Sequence, residues 1–163
     1  DILPVREELT NIKSYIQIQQ IRYPGQFEVQ YDIDDSILSC PTPKLILQPL
    51  VENSILHNVE HRDFLTIRIT GKKKDGLLEF TVWDNGCGIA PEKLPTIIRP
   101  GSGAKSGKVF NGIGVYNVHE RIRVIYGNSY GLRYESDGHS YTKAILAFPD
   151  VTEADEKGGL DNP

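Results

Sequence analysis

The segment from Leu45 to Val59 constrains the fold more than any other part of the chain. It carries Leu45, Leu47, Leu50, Val51, Ile55 and Leu56 around nearly its whole circumference. No apolar run in the chain approaches the roughly 20 residues of a membrane span, so a helix of this kind has to pack deep against a sheet. Pro41 and Pro43 predict its opening, because the first-turn N–H groups have no helical partner to lose. Its few polar residues, Glu52, Asn53 and His57, therefore call for an explanation. Asn53 and His57 are four apart and share a face, with Glu52 beside them.

The sheet is legible on either side. Phe27, Val29, Tyr31 and Ile33 alternate as a strand buried on one face. Phe64 to Thr70 and Leu77 to Trp83 read as a hairpin joined by the basic turn from Gly71 to Gly76. Tyr130 to Glu135 and Tyr141 to Phe148 read as a final pair of strands. Val5, Leu9, Ile12, Ile16 and Ile21 mark an amphipathic helix from Pro4 to Arg22, with Glu7 and Glu8 at its dipole-favoured start. Val115, Val118, Ile122 and Ile125 mark another, ending at Gly127. The pattern predicts a two-layer α/β sandwich of the α+β kind, with three helices on one face of a mixed, mostly antiparallel sheet of about five strands.

With 163 residues, 39% hydrophobic and 25% charged, the chain suits one domain core. A formal charge of -4 argues against nucleic acid as a partner, since phosphate backbones are gripped by clustered Lys and Arg. Cys40 and Cys87 are too few for a disulfide framework. The chain begins at Asp1 and holds no Met, which is expected of a piece of a longer protein. The expected division is residues 1–23 as the end of a preceding helical region with its connector, residues 24–149 as the domain, and residues 150–163 as an acidic, disordered tail.

Two glycine clusters point to a ligand. In Asp84-Asn85-Gly86-Cys87-Gly88 the glycines let the backbone turn sharply beside a planar group, and an aspartate at a strand end can accept from an exocyclic amine. The alternative is a plain hairpin turn. Gly112-Ile113-Gly114-Val115-Tyr116-Asn117 opens a helix, where exposed N–H groups and the positive helix end suit phosphates. The alternative there is a flexible loop. Between the clusters, Ala90 to Phe110 turns to Gly, Ser, Pro and Lys and is expected to be a lid. Carboxylate and amide oxygens such as those of Glu52 and Asn53 are the hard ligands that Mg²⁺ accepts beside nucleotide phosphates.

In this order the motifs resemble the GHKL superfamily, whose members include gyrase, the MutL mismatch-repair proteins and the histidine kinases. Leu47-Gln48-Pro49-Leu50-Val51-Glu52-Asn53-Ser54 is similar to the YesM/LytS-type sensor kinases, as are Gly112 to Arg121, Glu7-Glu8-Leu9, Tyr15-Ile16-Gln17-Ile18-Gln19 and Arg22-Tyr23. The resemblance covers nearly the whole chain except the tail. It implies a Bergerat-type ATP-binding fold that binds ATP and Mg²⁺. By it, Asn53 holds Mg²⁺, Asp84 reads the adenine amine, Gly86 and Gly88 shape that pocket with Ile89 alongside, and Gly112 and Gly114 lie at the phosphates with Ile113, Val115 and Asn117. Glu52 and His57 join Asn53 as catalytic candidates. Lys105 and Lys108 are phosphate contacts by charge alone.

The resemblance also implies a phosphoacceptor helical hairpin outside these residues, since none of His57, His61, His119 or His139 has the acceptor context. It further implies a homodimeric, membrane-anchored bacterial sensor signalling to a response regulator, with this domain on the cytoplasmic side of the inner membrane. Pro49 stands where hydrolytic relatives carry a catalytic glutamate, which favours transfer over hydrolysis. Leu56 stands where related kinases often have Lys. Three other readings stay open: a GHKL ATPase driving a conformational cycle, a nucleotide-free docking module, and a zinc metalloprotease using the His57-Asn58-Val59-Glu60-His61 pattern.

Overall fold

The computed structural model describes residues 1–61, 63–99 and 113–152. Apolar residues at positions 5, 9, 12 and 16 make Val5–Arg22 a helix, α1, that buries Val5, Leu9, Ile12 and Ile16. Ile21, expected on the same face, is 81% exposed. Before it, Ile2–Pro4 (β1) pairs antiparallel with Pro41–Pro43 (β3). The two prolines thus belong to a short strand, and the helix opens at Gln48, beyond the end of that strand. It spans Gln48–Asn58 (α2), with Pro49 in its first turn. Leu45 lies outside it, half-exposed, with a φ of 59°.

A buried carboxylate produces that shift. Glu8 of α1 is 2% exposed. Its oxygens accept from the N–H groups of Leu45 at 3.0 Å, Ile46 at 2.9 Å and Leu47 at 3.2 Å. A left-handed backbone costs a non-glycine residue about 1–2 kcal/mol, which three charge-assisted hydrogen bonds offset. From the other side Arg121 donates to the Lys44 carbonyl at 2.6 Å. The start of α2 is therefore held by two other helices.

The main sheet has the order Phe27–Ile33 (β2), Leu65–Lys74 (β4), Leu77–Asp84 (β5), Thr142–Pro149 (β7), Gly131–Ser136 (β6). β2 runs parallel to β4, and every other neighbour pair is antiparallel. The connection from β2 to β4 contains β3 and α2. Leu77–Asp84 (β5) returns from β4 through Asp75 and Gly76, both at positive φ (54° and 76°), the geometry that two-residue hairpin turns favour. The hairpin is thus longer than its basic segment suggests, because Lys72, Lys73 and Lys74 continue the strand. Ile113–Tyr126 (α3) leads to Gly131–Ser136 (β6) and Thr142–Pro149 (β7).

Inward residues of neighbouring strands fall in register, as in Ile69 with Val82, Val82 with Ala144, and Phe80 with Leu146. They form one core with Leu9 and Ile12 of α1, Leu50 and Ile55 of α2, and Val115 and Ile122 of α3, so the three helices cover one face of the sheet. Each buried Leu or Ile contributes about 1.5–3 kcal/mol. This is the mixed, mostly antiparallel α+β sandwich expected of the sequence.

Asp150, assigned to the tail on composition, is buried. It ion-pairs with Lys73 Nζ at 3.0 Å and accepts from Cys40 Sγ at 3.4 Å. Burial raises its pKa, but hydrogen bonds from Thr152 and the Lys73 ammonium outweigh that and hold it below the usual carboxylate value. The rest of the tail, from residue 153, lies outside the described residues.

Because three N–H donors, two of them buried, depend on Glu8, Glu8→Ala is expected to lower unfolding free energy by about 2–4 kcal/mol. Glu7→Ala, at an exposed neighbour, should stay within about 0.5 kcal/mol of the parent. Equal urea midpoints for the two variants would remove the role assigned to Glu8.

Candidate functional site

Ser54 and Asn58 lie one turn apart on the face of α2 turned to the end of β5, where Asp84 stands 1% exposed. A carboxylate so far from water needs donors around it. Ser54 Oγ donates to Asp84 Oδ2 at 2.8 Å. Oδ1 accepts from the Gly86 N–H at 2.9 Å and from Asn58 Nδ2 at 3.3 Å. Thr142 of β7 is buried in register opposite Asp84.

The loop after Asp84 is pinned on both flanks. Asn85 Oδ1 accepts from the Thr66 N–H at 2.8 Å, and the Asn85 N–H donates to the Thr66 carbonyl at 3.2 Å, which extends the pairing with β4 by one residue. Asn58 Oδ1 accepts from the Cys87 N–H at 3.0 Å. A Cβ on Gly86 would stand 2.0 Å from that oxygen, so only glycine lets the loop come this near α2. Gly88 adopts a φ of 74° and lies against the turn between β6 and β7, where a Cβ would meet the His139 nitrogen at 2.5 Å.

Ser136 ties the loop to that turn. Its Oγ accepts from the Ile89 N–H at 2.8 Å and the Gly138 N–H at 3.1 Å, and donates to the Tyr141 carbonyl at 2.6 Å. Asp137 shapes the turn by accepting from the Ser140 hydroxyl and from the N–H groups of Ser140, His139 and Tyr141, which holds its carboxyl well below the usual range.

On the sheet side of α2, Asn53 is 7% exposed and its Nδ2 donates to Tyr134 Oη at 3.4 Å. Burial pushes the Tyr134 phenol well above its usual pKa, so the group stays protonated. Glu52 is half-buried and close enough to Tyr15 of α1 for its charge to raise that phenol further, after burial itself. His57 is exposed. Asn53 and Asp84 are thus brought to one end of the sheet, while Glu52 turns toward α1.

At α3, Gly114 approaches α2 so closely that a Cβ would lie 3.2 Å from Pro49 Cβ, which packs the two helix starts together. Val115 is buried in the core and Asn117 is exposed. Ile113 is the first residue of α3. Gly112, Lys105 and Lys108 lie outside the described residues, as does the second half of the expected lid. Its first half has structure: Leu94–Thr96 forms a 3-10 turn, and Ile97 and Ile98 pack on the core. His119, on the far side of α3, accepts the Leu132 N–H at Nδ1 (3.0 Å), and burial with the nearby Arg123 holds it below its usual pKa as a neutral acceptor.

Sequence reasoning passed over Ser54, Asn58, Tyr134 and Ser136. The signal for the first two was a polar pair, i and i+4, beside the polar residues already singled out on α2. The zinc-protease pattern dissolves, because α2 ends at Asn58 and His61 lies beyond it. Among the described residues no three of His, Cys, Asp and Glu are grouped to hold a metal ion, and no helix is long and apolar enough to cross a membrane.

Comparison with known proteins identifies the family and the fold. The sequence profile described as histidine kinase-, DNA gyrase B-, and HSP90-like ATPase matches residues 41–152. The sensor histidine kinase YesM of Bacillus subtilis is 35% identical over 91% of this chain and 24% of its own length. Escherichia coli sensor histidine kinase YpdA is 34% identical over 80% of this chain and 22% of its own. The chain thus spans about a quarter of these relatives. The nucleotide-free catalytic domain of histidine kinase ThkA superposes with a TM-score of 0.70 at 14% identity, covering 92% of this chain and 95% of that one. At that identity the likeness is one of fold.

The crowding at Gly88 is testable by comparison with Gly25, whose φ of 68° is similar but which has nothing within 4 Å. Gly25→Ala should cost about 1–2 kcal/mol for the backbone alone. Gly88→Ala should add about 1–3 kcal/mol for the overlap with the β6–β7 turn. Equal losses in denaturant unfolding would show that the turn does not press on the loop.

Proposed function

Because the chain belongs to the family of histidine kinase-, DNA gyrase B- and HSP90-like ATPases, we propose that it is the ATP-binding catalytic domain of a sensor histidine kinase. The observation that carries the reading is the buried Asp84 carboxylate, held by Ser54 and Asn58 beside a loop whose course requires glycine at positions 86 and 88. Such a carboxylate accepts from the adenine amine and repels the oxygen that guanine carries at the same position. The 6-amino edge is the partner for Asp84, Gly86 and Gly88 shape the pocket with Ile89 held by Ser136, and the start of α3 with Gly114 faces the phosphates.

Asn53 fits a Mg²⁺ ligand. Its Nδ2 is committed to Tyr134, so the amide oxygen, the atom a hard cation takes, is turned away from that partner. Bound there with the phosphates, Mg²⁺ would supply charge neutralisation for the γ-phosphoryl. Glu52 and His57 flank Asn53 on α2. Lys105, Lys108, Gly112, Ile113, Val115 and Asn117 complete the proposed nucleotide contacts, and residues 90–110 the lid.

Transfer is favoured over hydrolysis because the position four before Asn53 is Pro49, which packs against Gly114 and brings no carboxylate to activate water. The acceptor is a histidine nitrogen on a phosphoacceptor helical hairpin. It forms an N–P bond as the bond to ADP breaks. Residues 1–23 lead from that hairpin and, through α1, pack into the core they share with residues 24–149. The relatives' names support the role of sensor histidine kinase, and we extend the proposal to a homodimeric, membrane-anchored protein that passes the phosphoryl group to a response regulator, with this domain on the cytoplasmic side.

Asp84→Asn is expected to weaken ATP binding by about ten- to a hundredfold in calorimetry, the effect of losing a charged acceptor. ATP and GTP binding equally well to the parent would remove the base assignment. With γ-labelled ATP, the chain should stay unlabelled alone and label a separately expressed acceptor hairpin on histidine, in an acid-labile form that Asn53→Ala abolishes. Brisk ATP hydrolysis by the chain alone would instead favour the ATPase branch of the family.

A further inference from the structure

We propose that Asn58 is the positioning residue that sets base selectivity, by fixing Asp84 and the glycine loop with one amide. The inference rests on Asp84 reading the base. Asn58 is 3% exposed and closes α2. Its Nδ2 donates to the Ser54 carbonyl at 2.7 Å and to Asp84 Oδ1 at 3.3 Å. Its Oδ1 accepts from the Cys87 N–H at 3.0 Å and from Cys87 Sγ at 3.3 Å. An amide offers two donors and two acceptor sites, so every one is engaged.

That engagement makes the group a spacer as well as a donor. Gly86 passes so near that a Cβ would stand 2.0 Å from Asn58 Oδ1 and 2.6 Å from Nδ2. The amide therefore fixes at once where the loop backbone runs and how the Asp84 carboxylate is turned. Ser54 anchors the other carboxylate oxygen and Gly86 the same one, but neither spans from the base reader to Cys87. Because Nδ2 is a donor, Asn58 also keeps Asp84 an acceptor, the state that prefers a 6-amino purine to a 6-oxo purine.

The test is the ratio of ATP to ITP affinity, measured by calorimetry on the 163-residue chain. ITP carries the oxygen in place of the amine. The parent should prefer ATP. Asn58→Ala, checked for folding by its thermal transition, should narrow the ratio by about fivefold or more, whereas a purely structural role would weaken both ligands alike. Asn58→Asp keeps the shape and the acceptor for Cys87 but sets a second carboxylate against Asp84. Two carboxylates this close share one proton between them, and a second proton taken up as pH falls gives the pair an outward O–H donor that suits the 6-oxo group. In that variant the ATP preference should be smallest at low pH and recover as pH rises and the second proton leaves. A parent that prefers ATP, with both variants keeping its ratio at every pH, would overturn the role of Asn58. A parent without preference would overturn the reading of Asp84 itself, and this inference with it.

Discussion

Three N–H groups in the segment before α2 point at one carboxylate, and the arrangement of the helical layer follows from that. Glu8 sits on α1, yet its oxygens hold Leu45, Ile46 and Leu47, including a leucine in the left-handed region. A charge buried to this degree is tolerable only when its acceptor sites are filled. Moving α1 along its axis would strip those bonds, so α1 and the start of α2 are bound to shift together. Arg121 adds a clamp from α3 on the neighbouring Lys44 carbonyl. The polar face of α2 is thereby presented to the sheet at a fixed height.

A second buried carboxylate, at the other end of α2, works on the same logic. Asp84 is reached by a hydroxyl, an amide and a backbone N–H drawn from two elements, and the loop behind it is pinned to β4, α2 and the β6–β7 turn. None of these anchors belongs to the segment expected to move as a lid. Walls fixed in this way keep the polar groups oriented before a ligand arrives, which lowers the cost of binding.

The helices and strands were legible because their periods are strong. The alternation from Phe27 to Ile33 reproduces β2, and the spacing of Val5, Leu9, Ile12 and Ile16 reproduces the buried face of α1. Pro41 and Pro43 misled, since proline suits a short edge strand as well as a helix start, and the choice depended on Glu8, distant in sequence. The basic run after Gly71 looked like a turn, but Lys73 is held in the strand by Asp150 from the far end of the chain. The glycine boxes could be read for chemistry because their order carries information. Asn58 could not, because its importance lies in a 3.3 Å contact across the fold. The i, i+4 pairing of Ser54 with Asn58 was the only local trace of it.

Among the described residues one strand pair, β2 with β4, is parallel, and it bears on how the chain comes together. Hairpins such as β4–β5 close over a two-residue turn, but a parallel pair can form only once its whole connection has been laid across the sheet. Here that connection holds β3 and α2. Loop-closure entropy places this pairing, like the longer-range pairing of β5 with β7, after the β4–β5 and β6–β7 hairpins. The helix that carries Asn53, Ser54 and Asn58 is thus the body of the late crossover, and a partly folded chain, however complete its hairpins, has not yet brought those side chains to Asp84.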